Sequence, residues 1–294
     1  MNTSRLEQWI LHLSFGFISC LCLIPFLLLV SASITDENAI IQNGYSFIPQ
    51  AFSTGSYEML FHDARMIFHA YGISILVTVI GTIASLTIMA MLAYPISRRE
   101  MPMRRAITFF VFFTMLFNGG LVPTYLMYTN LFAIKNTLFA LIVPGLLVNA
   151  FYVILMRTFF TVSIPAQVVE SAYIDGAGEF KIFYKIVLPL SLPVLATVGL
   201  FQIINYWNDW FNGLIYTTDN RYYSIQVLLN TILLNVQYLI DNAQYSSQME
   251  EAGVIPTQGV RLAIAVVGVI PILIAYPFFQ RFFIKGLTVG AVKG

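Results

Sequence analysis

Apolar residues do not alternate with polar ones along most of this chain; they run together. A hydrocarbon layer about 30 Å thick takes roughly 20 residues of helix to cross. Six stretches qualify, at approximately 11–33, 69–95, 106–129, 137–160, 186–214 and 261–284. Runs of that length predict helices that are apolar all round, unlike the one-sided helices of a soluble domain. Pro95, Pro123, Pro144 and Pro271 fall within or at the ends of these runs. Membrane helices tolerate proline when neighbours satisfy the freed carbonyls. The pattern predicts an all-α polytopic membrane protein with six transmembrane helices, organised as one domain over 1–294.

Three connecting segments break the apolar pattern. Residues 34–68 carry "FIPQAFSTGSYEMLF", which predicts an extended piece and then a short surface helix. Residues 215–260 contain "SIQVLLNTILLNVQYLI", an apolar run interrupted by Asn230, Asn235 and Gln237. It predicts a helix lying at the interface or on the bundle, not a seventh span. The third segment, 170–193, reads "ESAYIDGAGEFKIFYKIVLPLSLP" and is conspicuously polar at its start. Ser163 is placed to cap a helix beginning near Pro165. Gly176 is placed to stop it in the left-handed conformation, and Asp175 to accept from the amides that start the next helix. Phe180, Phe183 and Val187 predict an apolar face leading into the following span, with Pro189 and Pro193 bending its start. The result is a pair of short helices over approximately 163–185. Ser171, Ala172, Gly176, Ala177 and Gly178 are small enough to admit another backbone.

Composition agrees with a membrane protein. Only 10% of the 294 residues are charged and 58% are hydrophobic, whereas soluble domains carry about 25% charged residues. Charge distribution then sets orientation. With both termini in the cytoplasm, the inner segments hold Arg5, Arg98, Arg99, Arg104, Arg105, Arg157, Lys181, Lys185, Arg281, Lys285 and Lys293, which is 11 of the 15 basic residues. Arg65, Lys135, Arg221 and Arg261 fall outside, as do the acidic residues Asp36, Glu37, Glu58, Asp63, Glu250 and Glu251. The paired short helices therefore face the cytoplasm. The run from Leu11 to Val30 is too long for a signal-peptide core and lacks a small-residue cleavage site, so it is read as a retained span. Cys20 and Cys22 are two residues apart on that helix and cannot bridge; they are read as small buried hydrophobes.

Several kinds of chemistry are excluded. No G-x-x-x-x-G-K-[ST] phosphate loop is present, and "GLTVGAVKG" has the wrong spacing. There is no HExxH motif. His12, His62 and His69 lie far apart and predict no metal site. The fifth run ends in "NYWNDWFNG", with Asn205, Tyr206, Trp207, Asn208, Asp209, Trp210 and Asn212. Polar groups inside a membrane are costly and mark solute pathways. Carboxylate and amide groups beside aromatic faces suit a sugar. An outer aromatic belt explains Trp207 and Trp210 equally well. Asn118, Tyr125, Asn149 and Tyr152 are further pathway candidates, with interhelical hydrogen bonding as the alternative.

The spacing Glu170, Ala172, Gly176, Ile186, Leu188-Pro189 resembles the cytoplasmic coupling signature E-A-A, three residues, G, nine residues, I-x-L-P of bacterial ABC importer permeases. Ser171 replaces the middle alanine and is also small. "FNGGLVPTYLMYTNLFAIKNT" at 117–137, "VILMRTFF" at 153–160, "YWNDWFNGLIY" at 206–216 and the tail "FIKGLTVGAVKG" extend the likeness over nearly the whole chain. It is closest to carbohydrate permeases of the maltose type that handle complex oligosaccharides and polysaccharide fragments. The resemblance implies a type I ABC importer transmembrane domain in a bacterial inner membrane. It implies a second homologous permease, two cytoplasmic ATPase subunits and an extracytoplasmic sugar-binding protein as partners, with an oligosaccharide as substrate and no nucleic acid. ATP and Mg would be bound by the ATPases and no cofactor by this chain, which would be non-catalytic. Glu170, Ser171, Ala172, Asp175, Gly176, Ala177, Ile186, Leu188 and Pro189 would form the ATPase joint. Glu170 would orient it, Gly176 would supply the turn, and Ala172 and Ala177 would allow close packing. The tail after Lys285 would also touch the ATPases. A secondary transporter or channel for a small polar solute is the alternative. It would need ionisable residues deep in the spans, and the sequence has few.

Overall fold

The computed structural model describes residues 5–242 and 257–291. Glu250, Glu251 and Lys293 lie outside the described residues, as does the end of the tail after Ala291. Among the described residues the chain is helical, and its β structure is an isolated antiparallel bridge between Thr35 and Phe52. Contacts divide the chain into two compact units, Met1–Ile67 with Leu229–Pro271 and Phe68–Leu228 with Ile272–Gly294.

The first unit opens with α1 (Arg5–Ser33). Its apolar window has mean hydropathy 2.5 and no buried residue. Cys20 and Cys22 are accordingly free and exposed, not buried; among the described residues nothing packs over this part of the helix. The connection to the second span forms α2 (Glu37–Asn43), an extended piece, and α3 (Gly55–Leu60). Asp36 caps α2 by accepting from the Asn38 amide at 3.0 Å. α14 (Ile225–Asn242) from Leu229 onward and α15 (Thr257–Ala291) as far as Pro271 follow much later in the chain. α14 is helical as expected and is not among the helices apolar enough to span. Glu37 is buried, and its two carboxylate oxygens accept from the Gln258 and Gly259 amides at 2.9 Å each. An anion on the orphan amides of a first helical turn satisfies them and complements the helix dipole.

The second unit holds α4 (Ala64–Ser97) from Phe68 onward, then a series of interrupted helices. By length and composition α1 and α4 each suffice to cross a membrane. The runs expected at 106–129, 137–160 and 186–214 are not continuous helices. α5 (Arg104–Leu116) and α6 (Leu121–Leu126, continued as a π-turn Met127–Leu131) meet at 116°. Between them Gly120 has φ +85, and its amide donates to Asn118 Oδ1 at 2.8 Å, a side-chain-closed turn. The fourth run is helical only over α7 (Phe139–Ile142) and α8 (Ala150–Ser163). Pro144 and Gly145, at φ +71, separate them, and Asn149 caps the restart by accepting from the Phe151 amide at 2.9 Å. α9 (Ala166–Ile174) turns 78° from α8. α10 (Glu179–Ile182), a π-turn Phe183–Val187 and α11 (Leu188–Leu190) precede α12 (Leu192–Trp207) with a bend of 79°. Pro189 and Pro193 flank that bend, each lacking the N–H a continuous helix needs. α13 (Phe211–Tyr216) closes the fifth run.

Candidate functional site

The polar segment folds as paired short helices seated on a buried seam. Met89, Ala90, Ala93 and Ile96 of α4, Val153, Met156 and Phe160 of α8, and Val194 and Val198 of α12 make its base. Val169 and Ala172 of α9 lie three apart, share one helix face, and are buried against that base with Ile182 and Val187. Ala177, Phe183, Ile186 and Leu188 pack at its edge, half-buried. Gly176 has φ +73. Its amide donates to the Tyr173 carbonyl at 2.9 Å, and the Ala177 amide donates to the Ala172 carbonyl at 2.9 Å. That pair of bonds is the Schellman closure of α9, which glycine at this position favours.

Three local expectations are corrected. Ser163 is the last residue of α8 and does not cap α9; Pro165 holds the cap position with no side-chain bond. α10 likewise starts at Gly178 without a side-chain cap, so Asp175 does not reach those amides. Phe180 is not on the buried face; it is 79% exposed, and Ile182 takes its place. Glu170, Ser171, Asp175, Gly176 and Pro189 are exposed as well. Ile174 and Tyr184 stand out with Phe180, at 86% and 72% exposure. Exposed large apolar side chains grouped in this way are the kind of patch that functional surfaces carry.

A carboxylate the sequence pattern did not single out ties the elbow to α4. Tyr94 donates its hydroxyl to Glu179 Oε2 at 2.8 Å, and Tyr173 donates to Oε1 of the same group. Partial burial, then the bond to Glu179 and its negative charge, push the Tyr173 phenol above its ordinary value. A raised folded-state value means the bond contributes in full below the ordinary phenol range of about 10 and is lost only as pH rises through the higher folded value. Tyr173→Phe and Glu179→Gln should each lower resistance to denaturant by about 1 kcal/mol. The double variant should cost less than the two singles combined, because they share an interaction. Strict additivity in unfolding measurements would show the clasp contributes nothing.

The pathway candidates of the fifth run separate into two groups. One group serves the broken fourth run. Gln202, buried and not singled out from sequence, donates to the Leu146 carbonyl at 2.9 Å and to Ser85 Oγ. Tyr206 donates to the Ile142 carbonyl at 3.0 Å, and Asn212 to the Pro144 carbonyl at 2.9 Å. These side chains fill the acceptors that the Pro144–Gly145 interruption leaves open, as apolar surroundings require. Asn205 bonds Gln202 Oε1 at 3.2 Å and the Tyr152 hydroxyl at 3.3 Å, and the Tyr152 ring lies parallel to Phe201 with centroids 6.0 Å apart. Trp207 is buried, 6.2 Å from the Tyr71 ring. Asn118 and Asn149 close turns, as described above. The other group remains open. Trp210 and Asn208 are exposed. Asp209 accepts from the Asn212 amide at 3.2 Å through Oδ1, while its Oδ2 is buried without a hydrogen-bond partner among the described residues. No cluster of three or more metal-ligating side chains occurs among the described residues.

Comparison with known proteins gives a consistent result. Residues 87–289 match the family described as the binding-protein-dependent transport system inner membrane component. The polygalacturonan/rhamnogalacturonan transport system permease protein YtcP of Bacillus subtilis (strain 168) is 38% identical, the match covering 96% of this chain and 97% of that one. The arabinooligosaccharides transport system permease protein AraQ of Halalkalibacterium halodurans is 28% identical over 100% of this chain and 99% of its own. Among solved structures, a bacterial ABC transporter involved in the import of the acidic polysaccharide alginate is similar with a TM-score of 0.79 and 29% identity. That likeness covers 96% of this chain and 99% of the other.

Proposed function

The chain belongs to the family of binding-protein-dependent transport system inner membrane components, and from that premise we propose how it works as the permease subunit of an ABC oligosaccharide importer. Alternating access moves the substrate, and ATP bound by two cytoplasmic partner subunits drives it. A second permease completes the path, and an external binding protein delivers the sugar. The observation that carries this reading is the elbow. Its inner face, Val169, Ala172, Ile182 and Val187, is locked onto the helix bundle. Its outer face presents Ile174, Phe180 and Tyr184, exposed among the described residues. A joint needs both, one side fixed to the moving helices and one side free for the motor. The Glu179 clasp makes the fixed side stiff, so displacement of the elbow reaches α4.

The substrate is an acidic oligosaccharide derived from a plant cell-wall polysaccharide. Support comes from the YtcP relative, named for polygalacturonan and rhamnogalacturonan, and from the likeness to an importer of acidic alginate. Asn208 and Trp210, both exposed, are the parts of the fifth run free to meet a sugar or a partner permease, with the half-buried Asp209 between them.

The test is co-purification. A chain expressed with its ATPase partners should retain them in detergent, and Phe180→Asp should reduce the recovered ATPase at least about tenfold. Loss of one large buried apolar contact and burial of a charge together justify that size. Undiminished recovery with Phe180→Asp and Ile174→Asp together would remove the elbow from the motor interface.

A further inference from the structure

The loop after α6 carries three unusual features within ten residues. The helix ends in the π-turn Met127–Leu131. Ala133 and Asn136 then take left-handed backbone, at φ 50 and φ 57. For an alanine that conformation is held by its surroundings, while asparagine tolerates it. The Asn136 amide donates to the Tyr216 carbonyl at 3.1 Å, and its side-chain oxygen accepts from the Thr218 amide at 2.7 Å and the Asp219 amide at 3.3 Å. The loop is bolted to the segment after α13.

That bolting sets out an aromatic platform with a cation on it. The buried Tyr216 ring stacks on Tyr125 with centroids 5.8 Å apart and meets Tyr128 edge-on at 6.0 Å. Tyr125 and Tyr128 are half-buried. Lys135 is exposed, and its Nζ donates to the Tyr125 hydroxyl at 3.4 Å. Among the described residues no carboxylate lies within ion-pair range of Lys135, whereas Arg221 is matched by Asp219 at 2.6 Å. Lys135 is thus an exposed cation beside an aromatic hydroxyl, with no carboxylate against it among the described residues.

We infer that Lys135 on the Tyr125–Tyr128 platform is a subsite for a sugar carboxylate at the outer end of this permease. This rests on the acidic-oligosaccharide reading above and deepens it. Tyrosine faces cover the apolar C–H side of a pyranose, and the ammonium answers its uronate. A neutral sugar would have no use for the charge. A lysine that only reaches for lipid phosphate works from a flexible position. It needs no strained loop tied down on both sides, whereas a binding group gains from being pre-organised.

The full chain in nanodiscs of neutral phosphatidylcholine is titrated with trigalacturonate, its methyl ester and galactotriose, with binding followed by saturation-transfer NMR. Trigalacturonate should bind the wild type, and its methyl ester should bind no better than galactotriose. Lys135→Met should weaken trigalacturonate about tenfold or more, the size of a lost charge-assisted hydrogen bond, and leave galactotriose unchanged. Lys135→Arg should restore most of the affinity. Equal binding of the acid and its ester overturns the subsite with no mutation needed. So does undiminished trigalacturonate binding by Lys135→Met, or no binding by the wild type. Displacement of trigalacturonate by adding phosphatidylglycerol would assign Lys135 to lipid headgroups instead. These outcomes are independent of ATPase recovery with Phe180→Asp, so the subsite can fail while the permease reading stands.

Discussion

Replacing Gly176 with proline should abolish ATP-driven uptake by the assembled importer while the chain still inserts in the membrane. Gly176 sits at φ +73, and proline is confined near −65°. Its amide donates to the Tyr173 carbonyl at 2.9 Å, and proline has no N–H to replace it. The local cost is about 3 kcal/mol or more, and it falls on the turn that aims α10. Ile182 would leave the seam, Glu179 would leave its two tyrosines, and the outer face would be re-aimed away from the motor. Gly176→Ala keeps the N–H and suffers only the left-handed penalty of about 1–2 kcal/mol, so it should slow uptake without stopping it. Gly178→Ala is the control. That glycine has an ordinary φ of −74, and nothing lies within 4 Å of where a Cβ would stand. Uptake into proteoliposomes and ATPase stimulation should rank the three variants in that order. Full coupling in Gly176→Pro would mean that the elbow does not transmit work.

The elbow was legible in the sequence because turn chemistry is local. A glycine in the right place ends a helix whatever surrounds it, and two short helices around "DGAG" followed from that alone. The seam was not fully legible. At 3.6 residues per turn Phe180, Phe183 and Val187 share a face. α10 lasts four residues before the backbone widens into the π-turn Phe183–Val187. The wider turn changes the register, Ile182 and Val187 go inward, and Phe180 swings out. Glu179 escaped notice because its two tyrosine partners stand 85 and 6 residues away in the chain.

The interrupted spans were hidden for a different reason. An apolar run reports that a segment is surrounded by apolar material; it does not report whether the backbone within is helical. In the fourth run the helix stops at Ile142, and the freed carbonyls of Ile142, Pro144 and Leu146 find donors on Tyr206, Asn212 and Gln202. The two signals were both present, a Pro-Gly pair in one run and a cluster of amides and hydroxyls in another. Only folding shows that the second answers the first. Part of the polar richness of "NYWNDWFNG" is therefore engaged with the backbone of the fourth run, and the pathway role we propose rests on the remainder.

Gly81→Ala tests that division, and its effect should be severe. A Cβ on Gly81 of α4 would stand 2.6, 2.7 and 2.9 Å from three atoms of the Tyr206 ring. The ring cannot retreat freely, because its hydroxyl is held by the Ile142 carbonyl at 3.0 Å and it is packed with Val77 and Leu141. Overpacking costs about 1–3 kcal/mol, occasionally more, and breaking a hydrogen bond inside a membrane adds on average about 0.6 kcal/mol. The amount of folded permease and the uptake rate should fall together, with the KM of what remains unchanged. Adding Tyr206→Leu to Gly81→Ala should recover part of the loss, since a smaller side chain relieves the clash even though the carbonyl loses its donor. Tyr206→Phe alone should cost about 0.6 kcal/mol, the lost hydrogen bond, and leave KM as it was. If Tyr206 instead grips the sugar, Tyr206→Phe will raise KM in a fully folded permease, and the ring on Gly81 will have to be counted as part of the path.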